Sequence, residues 1–224
     1  MRKAVIFYFL TLMMLVSSCS NSDVQNEVSQ VEENKVDEQE LAGIGEFEEF
    51  DIMECWSENP FEWFKGQGLL LAVGTAEDNN AMTIGWGALG NVWSKIGPAT
   101  VTVYVAEGRY TFQFMEKYNY FTVMAFDKDD AEILNYMGTH SGRDGDKVSE
   151  LGLHTLYTEH GAPYYAEATM VLECKTIYKA PFEKSGMDEA VKEFYANFDA
   201  GVHHMYIGNV VKALKRKTLE KKTE

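Results

Sequence analysis

Several kinds of chemistry are missing from this chain. Its three cysteines, Cys19, Cys55 and Cys174, form no C-x-x-C pair, and its five histidines form no H-E-x-x-H. The spacing therefore encodes neither a metal site nor a dithiol centre. No serine sits in a G-x-S-x-G elbow, and the adjacency of His140 and Ser141 does not make a base and a nucleophile in space. Gly66-x-Gly68 begins a dinucleotide-like pattern, but Leu71 stands where the third glycine belongs and no helix follows. Positive charge is scarce, with 20 Lys and Arg against 35 Asp and Glu. That balance argues against a nucleic-acid partner.

Long apolar runs are equally rare, and the one at the start has a specific form. Arg2 and Lys3 precede an uncharged stretch, Ala4 to Val16, too short to span a bilayer comfortably, so residues 1–18 read as an export signal. The stretch ends in Val16-Ser17-Ser18-Cys19, which resembles the lipobox of bacterial lipoproteins. On that reading Cys19 is lipidated and anchors the protein to a membrane of the cell envelope. Plain secretion, or a start codon placed too early, fits the same residues. Residues 19–50 follow as an acidic tether, with ten Asp or Glu against the single Lys35. Such a segment buries too little apolar surface to offset its chain entropy. With Arg2 and Lys3 removed, the net charge of −15 becomes about −17, and the tether supplies nine of those charges.

Residues 51–224 are enough for one domain with a sizeable core and too few for two ordinary ones. Gly68 to Gly74 reads as a buried strand. In the next run Met82, Ile84 and Trp86 alternate with Thr83, Gly85 and Gly87, as on the two faces of a strand. A face reduced to Thr, Gly and Gly loses packing, so a planar ring or another backbone is expected against it. Thr100 to Val105 alternates valine with Thr and Tyr, predicting a strand with one face in a core and one facing something more polar. Trp56 and Trp63 read as core. Trp86 and Trp93 flank the glycine strand and are candidates for ring contact.

The second strand runs into Glu107-Gly108-Arg109-Tyr110-Thr111. A turn there can present backbone N–H groups, a guanidinium and a hydroxyl to an oxyanion such as a phosphate. An ordinary hairpin with a surface arginine fits equally. Helical spacing follows over 112–117, with Thr111 as its cap. Tyr120 to Phe126 reads as a strand and Asp129 to Met137 as a helix. The polar 138–147 loop contains Ser141 and Lys147, and is either a ligand-contacting segment or a capped connection between helices. Ala168 to Tyr178 reads as a strand, and His203 to Gly208 as a closing strand. From Lys212 the basic tail reads as a solvated helix end. Cys55 and Cys174 fit either a disulfide or two buried thiols.

The strings MTIGWGALGNVWSK, ATVTVYV, RYTFQFMEK, YFTVMAF, MGTHSGRDGDK, GAPYYAEA and HHMYIGNVV occur in this order. Together they resemble the flavin reductase family, and within it the flavoredoxin-like branch, from about Gly68 to about Lys212. The resemblance implies a mainly β, FMN-binding split barrel with flanking helices, non-covalent FMN and a homodimer with its site near the interface. It implies that Thr83, Gly85, Trp86 and Gly87 border the flavin, that Arg109, Tyr110 and Thr111 hold the phosphate, and that Ser141 and Lys147 make further contacts. It also implies a role for His203 near the ring or its redox partner, although a lone strand histidine is more often structural. Two features depart from the family. Glu107 sits in the phosphate turn, where a carboxylate opposes an anion, and an export signal is unusual for a nicotinamide-fed reductase. A flavin-binding or interaction module without NAD(P)H turnover is therefore the alternative. The sequence names neither electron donor nor acceptor.

Overall fold

The computed structural model describes residues 45–53 and 60–217. The signal, Cys19, most of the tether, Cys55 and Trp56 lie outside the described residues. The strands are β1 Phe47–Glu49, β2 Leu69–Gly74, β3 Asn79–Ile84, β4 Gly87–Gly90, β5 Thr100–Ala106, β6 Tyr120–Ala125, β7 Thr155–Tyr157, β8 Pro163–Tyr165, β9 Met170–Pro181 and β10 His203–Arg216. The α-helices are α1 Pro60–Lys65, α2 Tyr110–Lys117, α3 Ala131–Thr139, α4 Lys147–Glu150 and α5 Glu189–Ala196.

The large sheet runs in the order β3-β2-β6-β9-β10-β5-β4, with β1 added on β10, and every pair is antiparallel. Its two end strands, β3 and β4, are separated in sequence only by Gly85 and Trp86. Two residues cannot cross the width of a seven-strand path, because neighbouring strands lie about 4.8 Å apart. The sheet therefore curls until its ends approach, giving a barrel with its seam at Gly85-Trp86. The expected strand over 82–87 is thus two strands with a corner between them. Bulges in β10, between Ile207 and Gly208 and between Val210 and Lys212, help bend that 14-residue strand around the barrel.

The core has two parts because β2 is buried on both faces, which explains its unbroken apolar run. Leu69, Leu71 and Val73 pack with Val101, Val103, Val105, Phe121, Val123 and Leu172. Leu70 and Ala72 face the other way, toward Met124, Val171, Tyr165 and the α3 residues Leu134 and Met137. Trp63 packs against the first cluster, as expected of a core aromatic. Cys174 is a free thiol in that cluster.

Both ends of the domain differ from expectation. β1 pairs with β10 at Phe47↔Arg216, so folded structure begins within the stretch read as tether. The stretch from Lys212 to Arg216 is strand, not helix, because β9 and β1 flank it and supply its backbone partners. Its cations also face tether acids, with Lys215–Glu48 and Lys217–Glu46 both at 3.5 Å and Lys212–Glu49 at 3.9 Å. These exposed pairs are individually weak.

Candidate functional site

The barrel seam opens into two adjoining clefts. One, of about 230 Å³, is bordered by Met82, Gly85, Trp86, Tyr104, Phe198 and His203. The other, of about 160 Å³, is bordered by Asn80, Tyr110, Thr111, Ser141, Arg143 and Lys147. Met82 and Arg109 border both. The site thus passes from an aromatic half to a cationic half at one arginine. A larger cavity, of about 920 Å³, lies elsewhere, beside Trp63, Gln67, Phe126 and Lys128, and contains none of the expected site residues.

The aromatic half follows from the corner. Trp86 leaves the sheet and remains 46% exposed. Its ring lies 4.5 Å from that of His203 and 5.8 Å from that of Phe194. On β5, Val101, Val103 and Val105 are buried while Tyr104, on the opposite face, reaches the cleft. This is the two-faced pattern expected from the sequence. Trp93 is not brought to the site. It adopts a positive φ of 56° and lies near Tyr178, 6.1 Å between ring centroids.

The glycine face serves two ends. A Cβ on Gly87 would fall 2.1 Å from the Phe64 ring, so its bareness accommodates α1 and not a ligand. A Cβ on Gly85 would meet only the Phe64 carbonyl oxygen, at 3.5 Å, leaving that corner open. Thr83 borders the cleft, but its hydroxyl donates to the Leu134 carbonyl. That bond ties α3 to β3 and commits the proton which the flavin role would use.

In the cationic half, α2 begins at Tyr110 with Arg109 as a cap that makes no side-chain bond. Within the first turn the Phe112 N–H donates to Arg109 O at 3.0 Å, and the positive end of the helix dipole faces the cleft. Thr111 is not the cap. The helix starts earlier than expected, which puts Thr111 in its first turn, buried, with its hydroxyl accepting from Asn80 Nδ2 at 2.8 Å. A second guanidinium, missed in the sequence, comes from Arg143. It donates to Gly108 O at 3.3 Å and stacks 5.0 Å from the Tyr110 ring centroid. The signal for it was its place in the glycine-bearing polar loop.

Lys147 is 5% exposed and donates to Ala81 O at 2.7 Å and Met137 O at 3.0 Å. Burial pushes its pKa down to about 8. It has clamped the loop onto β3 and α3 while bordering the cleft. Ser141 Oγ accepts from the Arg143 N–H at 3.2 Å, and His140 stacks on Tyr136 at 3.8 Å. Neither arrangement is a hydrolase pair.

Glu107, the residue that opposed a phosphate, borders neither cleft. Its Oε1 lies 3.0 Å from His204 Nε2. His203, the adjacent residue, enters the aromatic half. Burial, and then the Arg109 guanidinium, hold its pKa below the usual histidine value.

Residues 67–223 match the family model of the flavin reductase like domain. The chain belongs to this family. The family's barrel is also found in solved structures similar to this chain. A flavoredoxin from Methanosarcina acetivorans is 20% identical over 70% of each chain, with a TM-score of 0.51. An FMN-binding domain of a flavin reductases-like enzyme from Shewanella baltica is 15% identical over 77% of this chain and 78% of its own, with a TM-score of 0.54. An FMN-binding protein from Thermus thermophilus, solved with bound 1-cyclohex-2-enone, is 18% identical over 73% and 78%, with a TM-score of 0.53. At these identities the likeness concerns the fold. No curated protein matches the chain significantly in sequence.

Family membership makes this a flavin-binding redox protein, and the cleft residues fit such a group. An open aromatic half suits a planar ring, and a helix start with two arginines suits an anion.

Proposed function

We propose that the chain is an FMN-dependent, flavoredoxin-like electron-transfer protein. The observation that carries this reading is that an aromatic cleft and a cationic cleft share Met82 and Arg109 as lining residues. Arg109, Arg143 and the first turn of α2 would hold the phosphate. Met82, Trp86, Tyr104, Phe198 and His203 would surround the ring, and Gly85 would leave room for it. The flavin supplies the redox chemistry when bound, while these residues bind it, orient it and shield it from water.

The homodimer is part of this proposal. Val92, Trp93 and Ile96 are exposed beside β4, at 39%, 50% and 58%, and large apolar side chains clustered on one loop suit a protein interface. The proposal also places the domain on a membrane of the cell envelope, through a lipidated Cys19 and an acidic tether. A soluble NAD(P)H pool is not expected there, so a membrane electron-transfer partner or an extracytoplasmic reductant would supply the electrons.

The absorbance spectrum of the purified protein tests the reading. Flavin bands that bleach fully with dithionite and slowly or negligibly with NAD(P)H are expected. Colourless protein that takes up no FMN would overturn the flavin reading. Rapid nicotinamide turnover by an unlipidated cytosolic protein would restore an ordinary flavin reductase.

A further inference from the structure

His203 is held more closely than a role as simple cleft wall requires. Its ring contacts those of Trp86, at 4.5 Å and 31°, and Phe198, at 5.3 Å and 19°. Its Nδ1 lies 2.9 Å from the hydroxyl oxygen of Tyr195. Tyr195 comes from α5, a helix with no buried residue whose side chain of Asp188 caps it by accepting from the Ala190 N–H. Phe194, Tyr195 and Phe198 bring this otherwise exposed element to the cleft, through ring contacts to Trp86 and His203.

The proton on the imidazole can be assigned from these contacts. A neutral imidazole carries one N–H, and the hydrogen bond at one nitrogen decides which nitrogen bears it. Burial raises the pKa of Tyr195, so its hydroxyl keeps its proton. Among the described residues the hydroxyl has no side-chain hydrogen-bond partner besides Nδ1, so its O–H is the donor assigned to that contact. No partner of Nε2 occurs among the described residues, while His203 borders the aromatic half of the site. Arg109 is the charged side chain bordering the same cleft, and Glu107 is engaged with His204 instead.

We infer that Tyr195 is a positioning residue that fixes His203 as its Nε2–H tautomer, so that the cleft presents a neutral hydrogen-bond donor to a carbonyl oxygen on a planar ring compound. The inference rests on the flavin reading for the identity of the occupant, but not for the tautomer itself. A neutral donor differs from a base at this place. It stabilises negative charge developing on the bound compound without removing a proton from it.

The test is imidazole ¹⁵N–¹H correlation NMR on the full chain, with and without FMN, for the parent and for Tyr195→Phe. The expected parent spectrum shows His203 as one dominant Nε2–H form. Tyr195→Phe should give a tautomer mixture, with the His204 signals unchanged. A double-mutant cycle supplies the second readout. Tyr195→Phe should weaken FMN binding roughly three- to tenfold, as expected for one hydrogen bond. It should have no effect when His203→Gln already provides an N–H donor that needs no tautomer. A parent His203 protonated at Nδ1, or a tautomer insensitive to Tyr195→Phe, overturns the inference. An unchanged FMN affinity in Tyr195→Phe also overturns the role assigned to the donor. If the tautomer shifts as expected but the parent takes up no flavin, only the flavin reading fails.

Discussion

His204 Nε2 lies 3.0 Å from Glu107 Oε1, while the neighbouring His203 enters the aromatic half of the site. Alternation along β10 thus separates two histidines by task, one engaging a carboxylate and the other lining the cleft. His204→Ala should release Glu107 toward the phosphate turn and weaken FMN binding several-fold. Adding Glu107→Gln should restore affinity. If the single variant binds as tightly as the parent, Glu107 has no electrostatic bearing on the site.

Gly85 and Gly87 separate ligand space from packing space. Gly85→Val should fold with a melting temperature near that of the parent and fail to take up stoichiometric flavin. Gly87→Val should lose stability by about 1–3 kcal/mol, because its side chain would overlap the Phe64 ring. Thermal denaturation and flavin stoichiometry on the same samples distinguish them. Stoichiometric flavin in a folded Gly85→Val protein would contradict the open-corner assignment.

Much of this was legible in the sequence. The valine alternation of 101–105 and the apolar run of 69–73 fixed strands that the barrel does use. Arg109 was legible because a strand, a glycine and a helix start converge on it. What was not legible depended on pairing across the fold. The corner at Gly85-Trp86 is a consequence of sheet closure, and the assignment of Gly87 to Phe64 depends on where α1 docks. Thr111 looked like a cap because its neighbour Asn80, 31 residues earlier, was not visible as its partner. The basic tail lacked a visible partner for the same reason, until β1 came alongside it. Tyr195 and Arg143 sit in polar stretches where composition alone marks no single residue.

Lys147 links pH to stability. Its ordinary pKa is 10.5 and burial lowers it to about 8 in the folded state. Between these values the unfolded chain holds more protons, so stability from this group rises with pH from about 8 toward 10.5. Below about pH 8 the folded ammonium carries its full desolvation cost. Lys147→Met should remove that rise, leaving a flatter stability profile between pH 8 and 10 in chemical denaturation. Parallel profiles for the two proteins would show that the ammonium is not desolvated.

The apolar loop at Val92–Ile96 should hold two copies together. Ile96→Asp, which puts a charge on a side chain 58% exposed, should convert a dimer to a monomer in light scattering while leaving the fold intact. A dimer unaffected by Ile96→Asp and by Trp93→Ser would place the interface elsewhere.

Titration of FMN into the parent domain and into Arg109→Ala tests the central claim most directly, because Arg109 is shared by both halves of the cleft. A charge-assisted phosphate contact contributes about 1.5–3 kcal/mol, so the variant should bind roughly ten- to a hundredfold more weakly. Equal affinity in the two proteins would contradict the assignment of this cleft as the FMN site.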